Sequence, residues 1–113
     1  MSTKQRSYSR YTLEALRLLG KEVEIARKSK KLTAQGLSER CGISRVTLRK
    51  IERGEATTEI GVVFEAATVV GVRLFEIEDV RGLRSAFVHA TDKSALLPRS
   101  VRSKKTKTGD DAF

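Results

Sequence analysis

Residues 33–54, TAQGLSERCGISRVTLRKIERG, decide the fold of this chain. Thr33 and Ser44 are residue types that cap the start of a helix, and each comes directly before a run with helical spacing. Gly42 supplies the positive φ of a tight turn between the two runs, and Gly54 ends the second run. The pattern predicts two short helices, over residues 34–41 and 45–53.

The apolar residues of this stretch fall on one side of each predicted helix. Two helices that meet at a steep angle need a small residue where they cross, and Ser38 stands at that position. The residues at inward-facing spacings are Leu37, Cys41, Ile43, Leu48 and Ile51. A small residue, a turn glycine and five apolar residues in this register are typical of a helix-turn-helix. Cys41 therefore reads as a core residue and not as a nucleophile.

The second predicted helix carries three cations on its exposed side. Arg45, Val46, Arg49 and Lys50 share that side because they are one, four and five residues apart. Arginine can pair with the acceptor edge of guanine, and valine can contact a thymine methyl. We predict that these four residues contact bases. The alternative is a solvated cationic face on a structural helix.

Polar residues near the two helix starts are placed for DNA phosphates. A helix N-terminus attracts phosphate, and hydroxyl, amide and guanidinium groups bind its oxygens. The predicted phosphate contacts are Thr33, Gln35, Ser44, Thr47 and Arg53.

Charge is unevenly distributed along the 113 residues, whose net charge is +9. Residues 1–53 hold 14 Lys/Arg against 5 Asp/Glu, a net charge of +9. Residues 54–80 have a net charge of −5, and residues 81–113 one of +5. Positive charge in the half that contains the motif suits a polyanionic partner.

Residues 20–77 resemble the phage-repressor-like, or XRE, helix-turn-helix family. In that family the recognition helix opens with a serine and ends IE-x-G, as Ser44 and residues 51–54 do here. A following helix ends in a glycine and a hydrophobic turn, matched by Gly71 and Leu74-Phe75. The resemblance implies an all-α, five-helix domain that binds double-stranded DNA as a homodimer over a two-fold operator.

The resemblance also implies one ion pair and one departure. The family's arginine on helix one pairs with the glutamate after the recognition-helix isoleucine, which here predicts a partly buried Arg27–Glu52 pair. The family usually begins helix two with a glutamine that grips phosphate, but this chain has Ala34. One phosphate contact is therefore in doubt.

The remaining elements are predicted from apolar spacing. The domain spans residues 12–80. Thr12 caps a first helix, which runs to about residue 30 and has a charged outer face. A fourth helix runs from Thr57 or Thr58 to about residue 70. Residues 72–77 form a short fifth element, either a helix or a short strand near the dimer interface. The expected dimer surface, with intramolecular core as the equal alternative, comprises Val69, Val72, Leu74, Phe75, Leu83 and Phe87.

The ends of the chain are predicted to lie outside the domain. Residues 1–11 read as a flexible basic arm that either touches DNA or is simply solvated. Residues 81–90 are a candidate dimerisation element, and residues 91–113 a disordered basic tail.

The tail, LPRSVRSKKTKTGDDAF over residues 97–113, resembles the tails of HipB-like antitoxins, which repress their own operon and bind a HipA-like kinase toxin. The residues of the expected partner-binding segment are Arg99, Arg102, Asp110, Asp111 and Phe113. One alternative is a tail that adds non-specific DNA affinity to a stand-alone phage- or host-type regulator. Another is a protein-interaction or RNA-binding module that shares the fold.

Other function classes find no support in the sequence. His89 is the only histidine and Cys41 the only cysteine, so no Cys/His cluster for a metal is present and no disulfide can form within the chain. No glycine-rich phosphate loop appears, and we expect neither enzymatic activity nor a cofactor. The polar N-terminus and the lack of a long apolar run predict a soluble, intracellular protein. The family resemblance implies a cytoplasmic, nucleoid-associated protein of a prokaryote or phage.

Overall fold

The computed structural model describes residues 6–101 and residue 103, and they form five helices. The helices are α1 (Arg10–Ser29), α2 (Ala34–Cys41), α3 (Arg45–Arg53), α4 (Ile60–Val69) and α5 (Val80–Ala95). The described residues contain no strand, and an isolated bridge between Leu74 and Ile77 is their only β pairing. The all-α prediction is confirmed. The chain divides into two compact units, residues 1–77 and 78–113.

The helix α1 begins earlier than the sequence predicted. Ser9, not Thr12, is its N-cap, and the Ser9 hydroxyl oxygen accepts a hydrogen bond from the Thr12 backbone N–H at 3.3 Å. Both are capping residue types, and the cap that adds a further turn of helix prevails. The outer face of α1 is not purely charged, because Tyr11, Leu18 and Ile25 are exposed along it.

The helices α2 and α3 have the predicted bounds, because their signals are local. The Thr33 hydroxyl accepts from the Gly36 N–H at 2.9 Å, and the Ser44 hydroxyl accepts from the Thr47 N–H at 3.0 Å. Gly42 lies between the helices in the left-handed region, with a φ of 70°. These caps and this turn fix the angle between the two helices.

The helix α4 begins later than predicted, at Ile60. The Thr58 hydroxyl donates to the Glu55 carbonyl at 3.1 Å and so belongs to the preceding turn, while Glu59 takes the N-cap position without a side-chain hydrogen bond. Residues 72–77 form neither the helix nor the strand expected there. They form a turn in which Phe75 and Glu76 both have a φ of 57°.

The fifth helix lies further along the chain than predicted. The Asp79 carboxylate accepts from the Gly82 N–H at 2.9 Å and caps α5. Residues 81–90, the candidate dimerisation element, are therefore helical, and the helix continues past residue 90, where the disordered tail was predicted to begin, to Ala95. The capping carboxylate and the helical spacing of Val80, Leu83 and Phe87 account for this. No residue of α5 is buried.

The core of the first unit joins α1, α2, α3 and α4. Its buried apolar residues are Val23, Leu37, Leu48, Ile51, Val63, Ala66, Ala67 and Val70. Ser38 is buried among them, at the predicted crossing, and its hydroxyl donates to the Ala34 carbonyl at 2.6 Å. Val69, Val72 and Leu74 pack partly buried against this core. No helix of the described part of the chain is long and apolar enough to cross a membrane.

Candidate nucleic-acid interface

The helix α3 is held against α1 by close backbone contact. Gly20 is buried in α1, and a side chain there would overlap the carbonyl oxygens of Ile51 and Glu52. Gly54, at the end of α3, has a φ of 74°. A Cβ added to it would lie 2.7 Å from the backbone of Arg17, so the two backbones are in close contact. The two helices therefore have little freedom to shift, which fixes the exposed side of α3 in space.

An ion pair between Arg27 and Glu52 also fixes α3. The Arg27 Nε donates to Glu52 Oε2 at 2.8 Å, and its Nη2 donates to Oε1 at 3.0 Å. The two side chains are only 12% and 13% exposed. The hydrogen bond to Glu52 raises the pKa of Arg27 above its ordinary value, so the pair stays charged. Arg27 Nη1 also donates to the Leu32 carbonyl at 3.1 Å, which ties α1 and α3 to the loop before α2.

The four predicted base-contacting residues all face solvent. Arg45, Val46, Arg49 and Lys50 are exposed, whereas Leu48 lies buried on the opposite side of the same helix. Within the part of the chain that the structure describes, none of the three cations forms an ion pair. They therefore offer donors without an ion-pair partner, on a helix that is held in place, to an anionic or acceptor-rich partner.

The predicted phosphate-contacting residues lie at the starts of α2 and α3 and at the end of α3. Thr33 and Ser44 have their hydroxyl oxygens engaged as caps. Gln35 donates from Nε2 to Glu39 Oε2 at 2.8 Å, so its amide points along α2. Arg53 is 62% exposed and 3.6 Å from Glu55. The helix N-termini themselves still have free backbone N–H groups.

The two flanks of α3 form separate grooves. On one flank, Arg45 and Arg49 line a groove together with Ala34. The start of α2 therefore lies beside the exposed side of α3. On the other, Thr47 and Lys50 line a groove with residues 57–59 of the turn before α4. Thr47 and Lys50, a predicted phosphate contact and a predicted base contact, thus line the same groove.

Two cations of α1 were missed by the sequence reasoning. Arg17 and Lys21 line a groove together with Arg49 and Arg53 of α3. From the sequence, this face of α1 was described only as charged, and its cations were assigned no role. A signal was present, because Gly20 lies between the two cations and marks a close approach of another backbone.

The predicted partner-binding tail is mostly outside the described residues. Arg99 is exposed and follows α5 in the second unit. The other members, Arg102, Asp110, Asp111 and Phe113, lie outside the part of the chain that the structure describes.

Residues 23–77 match the model of a family described as helix-turn-helix. The match begins within α1 and ends at the turn of residues 74–77, so it includes α2, α3 and α4. No curated protein and no solved structure matches the chain significantly.

Proposed function

Because the chain belongs, through residues 23–77, to the phage-repressor-like (XRE) helix-turn-helix family and is a DNA-binding transcriptional regulator, we propose that it represses transcription from a two-fold operator. The observation that carries this proposal is the exposed side of α3. Three cations without an ion-pair partner among the described residues stand there beside Val46, on a helix whose opposite side is buried. In this proposal α3 lies in the major groove.

Each residue of that side has a chemical role. Arg45 and Arg49 pair with guanine O6 and N7, Lys50 donates to a base acceptor, and Val46 contacts a thymine methyl. The N-termini of α2 and α3 receive phosphates, with Thr33, Gln35, Ser44, Thr47 and Arg53 around them. Ala34 provides no side-chain donor, so the backbone N–H groups at the start of α2 contribute alone at that point.

A homodimer completes the proposal. One recognition helix reads only a few base pairs, and a two-fold operator is read by two copies. Phe75 remains available for such an interface because it is 74% exposed, whereas Val69, Val72 and Leu74 are engaged with the core. In the second unit, Leu83 and Phe87 are 37% and 69% exposed.

The regulator is further proposed to be the antitoxin of a HipBA-like toxin–antitoxin module, in which a HipA-like kinase toxin binds the tail. The support is the sequence of residues 97–113, a cationic run closed by two acids and Phe113. Co-expression with a kinase encoded beside its gene tests this. We expect the full chain to retain the kinase during purification and a chain ending at residue 98 to lose it. Retention by the shortened chain, or no binding at all, leaves a stand-alone regulator.

Footprinting on DNA upstream of the chain's own gene tests the repressor proposal. We expect the wild type to protect a two-fold symmetric site. Replacing Arg45, Arg49 and Lys50 with alanine should abolish that protection while thermal unfolding stays within about 1 kcal/mol of the wild type, because the three side chains are exposed. Retained protection by this variant would favour a module that binds protein or RNA.

A further inference from the structure

A groove between α1 and α3 is lined by four cations, two of which have no role in the proposed function. Its lining residues are Arg17, Lys21, Glu24, Arg49, Glu52 and Arg53. Two cations come from each helix, and Arg49 is also a predicted base contact. The groove therefore extends the recognition surface of α3 onto α1.

The two carboxylates of the groove are balanced by cations outside it. Glu52 is held by Arg27, at 2.8 Å and 3.0 Å. Glu24 lies 2.9 Å from Lys28, which does not line the groove, and 2.9 Å from Lys21, which does. Hydrogen bonds from Lys28 and Lys21 lower the pKa of Glu24 to about 2, so it is ionised at neutral pH. The four lining cations consequently leave a net positive site.

Two arginines of the groove, Arg17 and Arg53, form only weak ion pairs with carboxylates that do not line it. Arg17 is 3.5 Å from Glu14, and Arg53 is 3.6 Å from Glu55. These side chains are 39–68% exposed, and exposed ion pairs of this kind contribute little. A dianionic or monoanionic phosphate group with several oxygens can replace them.

The spacing of the four cations is set by the backbone. Gly20 lets α1 contact the carbonyl oxygens at the end of α3, and Gly54 approaches the backbone of Arg17. The backbone positions that carry the cations of α1 and those of α3 are therefore held next to each other before a ligand binds. Such preorganisation reduces the entropy lost when a ligand binds.

We propose that this groove binds a phosphate of the DNA backbone beside the base pairs that Arg49 contacts, with Arg17 and Lys21 as the phosphate-binding residues of α1. Glu24 competes for Lys21, and binding of the phosphate releases Lys21 from it. The proposal rests on the proposed DNA-binding function of α3. It adds α1 to the interface and assigns two residues that neither the family model nor the helix-turn-helix motif singles out.

The chain offers a matched control for Lys21. Lys28 is on the same helix, contacts the same Glu24 at the same 2.9 Å, and its side chain is 63% exposed against 62% for Lys21. Only Lys21 lines the groove. Lys21→Ala and Lys28→Ala change net charge equally, and each removes one partner of Glu24. A difference in DNA binding between the two variants therefore comes from the position of the lysine, inside the groove or outside it.

The test measures the dissociation constant of the full chain against salt concentration. The probe is the duplex that the wild type selects from a random-sequence pool, with a shuffled duplex of the same composition beside it. We expect Lys21→Ala and Arg17→Ala each to reduce the magnitude of the slope of log K against log salt, by up to about 0.9 because the two side chains share one phosphate, and Lys28→Ala to leave it unchanged. Between 50 and 200 mM salt, complete loss of this phosphate contact makes the fall in DNA affinity about 3.5-fold smaller than in the wild type. The selected sequence should not change.

A further variant examines the role of Glu24. Glu24→Gln keeps the shape of the side chain and removes its charge, and we expect tighter binding at low salt. That gain should be smaller in a chain that also carries Lys21→Ala, because the released lysine is then absent.

The outcomes separate this inference from the function on which it rests. If Lys21→Ala and Lys28→Ala give equal slopes while the wild type binds the selected duplex, the groove proposal is wrong. The proposal that α3 contacts bases is then unaffected. A wild type that binds both duplexes alike, with the slope still lowered only by the groove variants, would support the groove and contradict sequence recognition. A wild type that enriches no duplex from the pool and binds no duplex DNA would overturn both.

Discussion

Replacing Arg27 with methionine removes one partner of the ion pair with Glu52 and leaves the other charge in place. Both side chains are nearly covered, at 12% and 13% exposed, and three hydrogen bonds from Arg27 are lost. Breaking a buried pair from one side costs about 3–5 kcal/mol. Because a little water still reaches the pair, we take the lower end, about 3 kcal/mol. For a domain of this size that lowers Tm by at least about 12 °C.

Circular dichroism of the full chain during heating at neutral pH measures this loss. The double variant Arg27→Met with Glu52→Leu leaves no unpaired charge, so it should lose less than either single variant. Glu14→Ala is the control, since its pair with Arg17 is longer, at 3.5 Å, and exposed. It should change stability by less than about 1 kcal/mol. If Arg27→Met is no more damaging than Glu14→Ala, the pair does not stabilise the junction of α1 and α3.

Three further predictions concern stability, each measured by thermal unfolding of the full chain. Gly20→Ala should lower the free energy of unfolding by about 1–3 kcal/mol, because its Cβ would overlap the Ile51 carbonyl. Gly61→Ala, which has open space around it, should raise the free energy of unfolding by about 0.5–1 kcal/mol. Equal effects of the two substitutions would contradict the close crossing of α1 and α3. Glu76→Gly should gain about 0.5–1 kcal/mol, since a left-handed backbone costs a non-glycine residue more than glycine loses in unfolded-state entropy, and a loss would show that the strain is absent. The pKa of Glu24 is lowered from 4.5 to about 2, so its contribution to stability is complete above pH 4.5 and is lost as the pH falls towards 2. The gap in Tm between wild type and Glu24→Gln should close over that range, and a gap independent of pH would refute the assignment.

The helix-turn-helix could be predicted from sequence because each of its signals is local. Thr33 and Ser44 cap the helices through their own hydroxyls, and Gly42 and Gly54 take the left-handed conformations that end them. Where two local signals competed, prediction was less accurate. Ser9 and Thr12 are both capping residues, and the sequence does not rank them.

Features that depend on distant parts of the chain were missed. Phe75 and Glu76 have side chains that do not favour a positive φ, so nothing local indicates the turn that they form. The ring of Phe75 lies edge-on to that of Phe64, with centroids 6.3 Å apart, so the turn depends on a contact with α4. The groove of Arg17 and Lys21 likewise exists only because α1 crosses the end of α3.

Selection of binding sites from random duplex DNA by the wild type and by Arg49→Ala tests the central claim most directly. We expect the wild type to select a two-fold site, and Arg49→Ala to lose preference at one position in each half-site, at a cost of about 1–3 kcal/mol. Arg40→Ala is the control, because Arg40 is exposed in α2 and lines none of the three grooves beside α3, and it should select the same site as the wild type. An unchanged preference at every position with Arg49→Ala would contradict base recognition by α3.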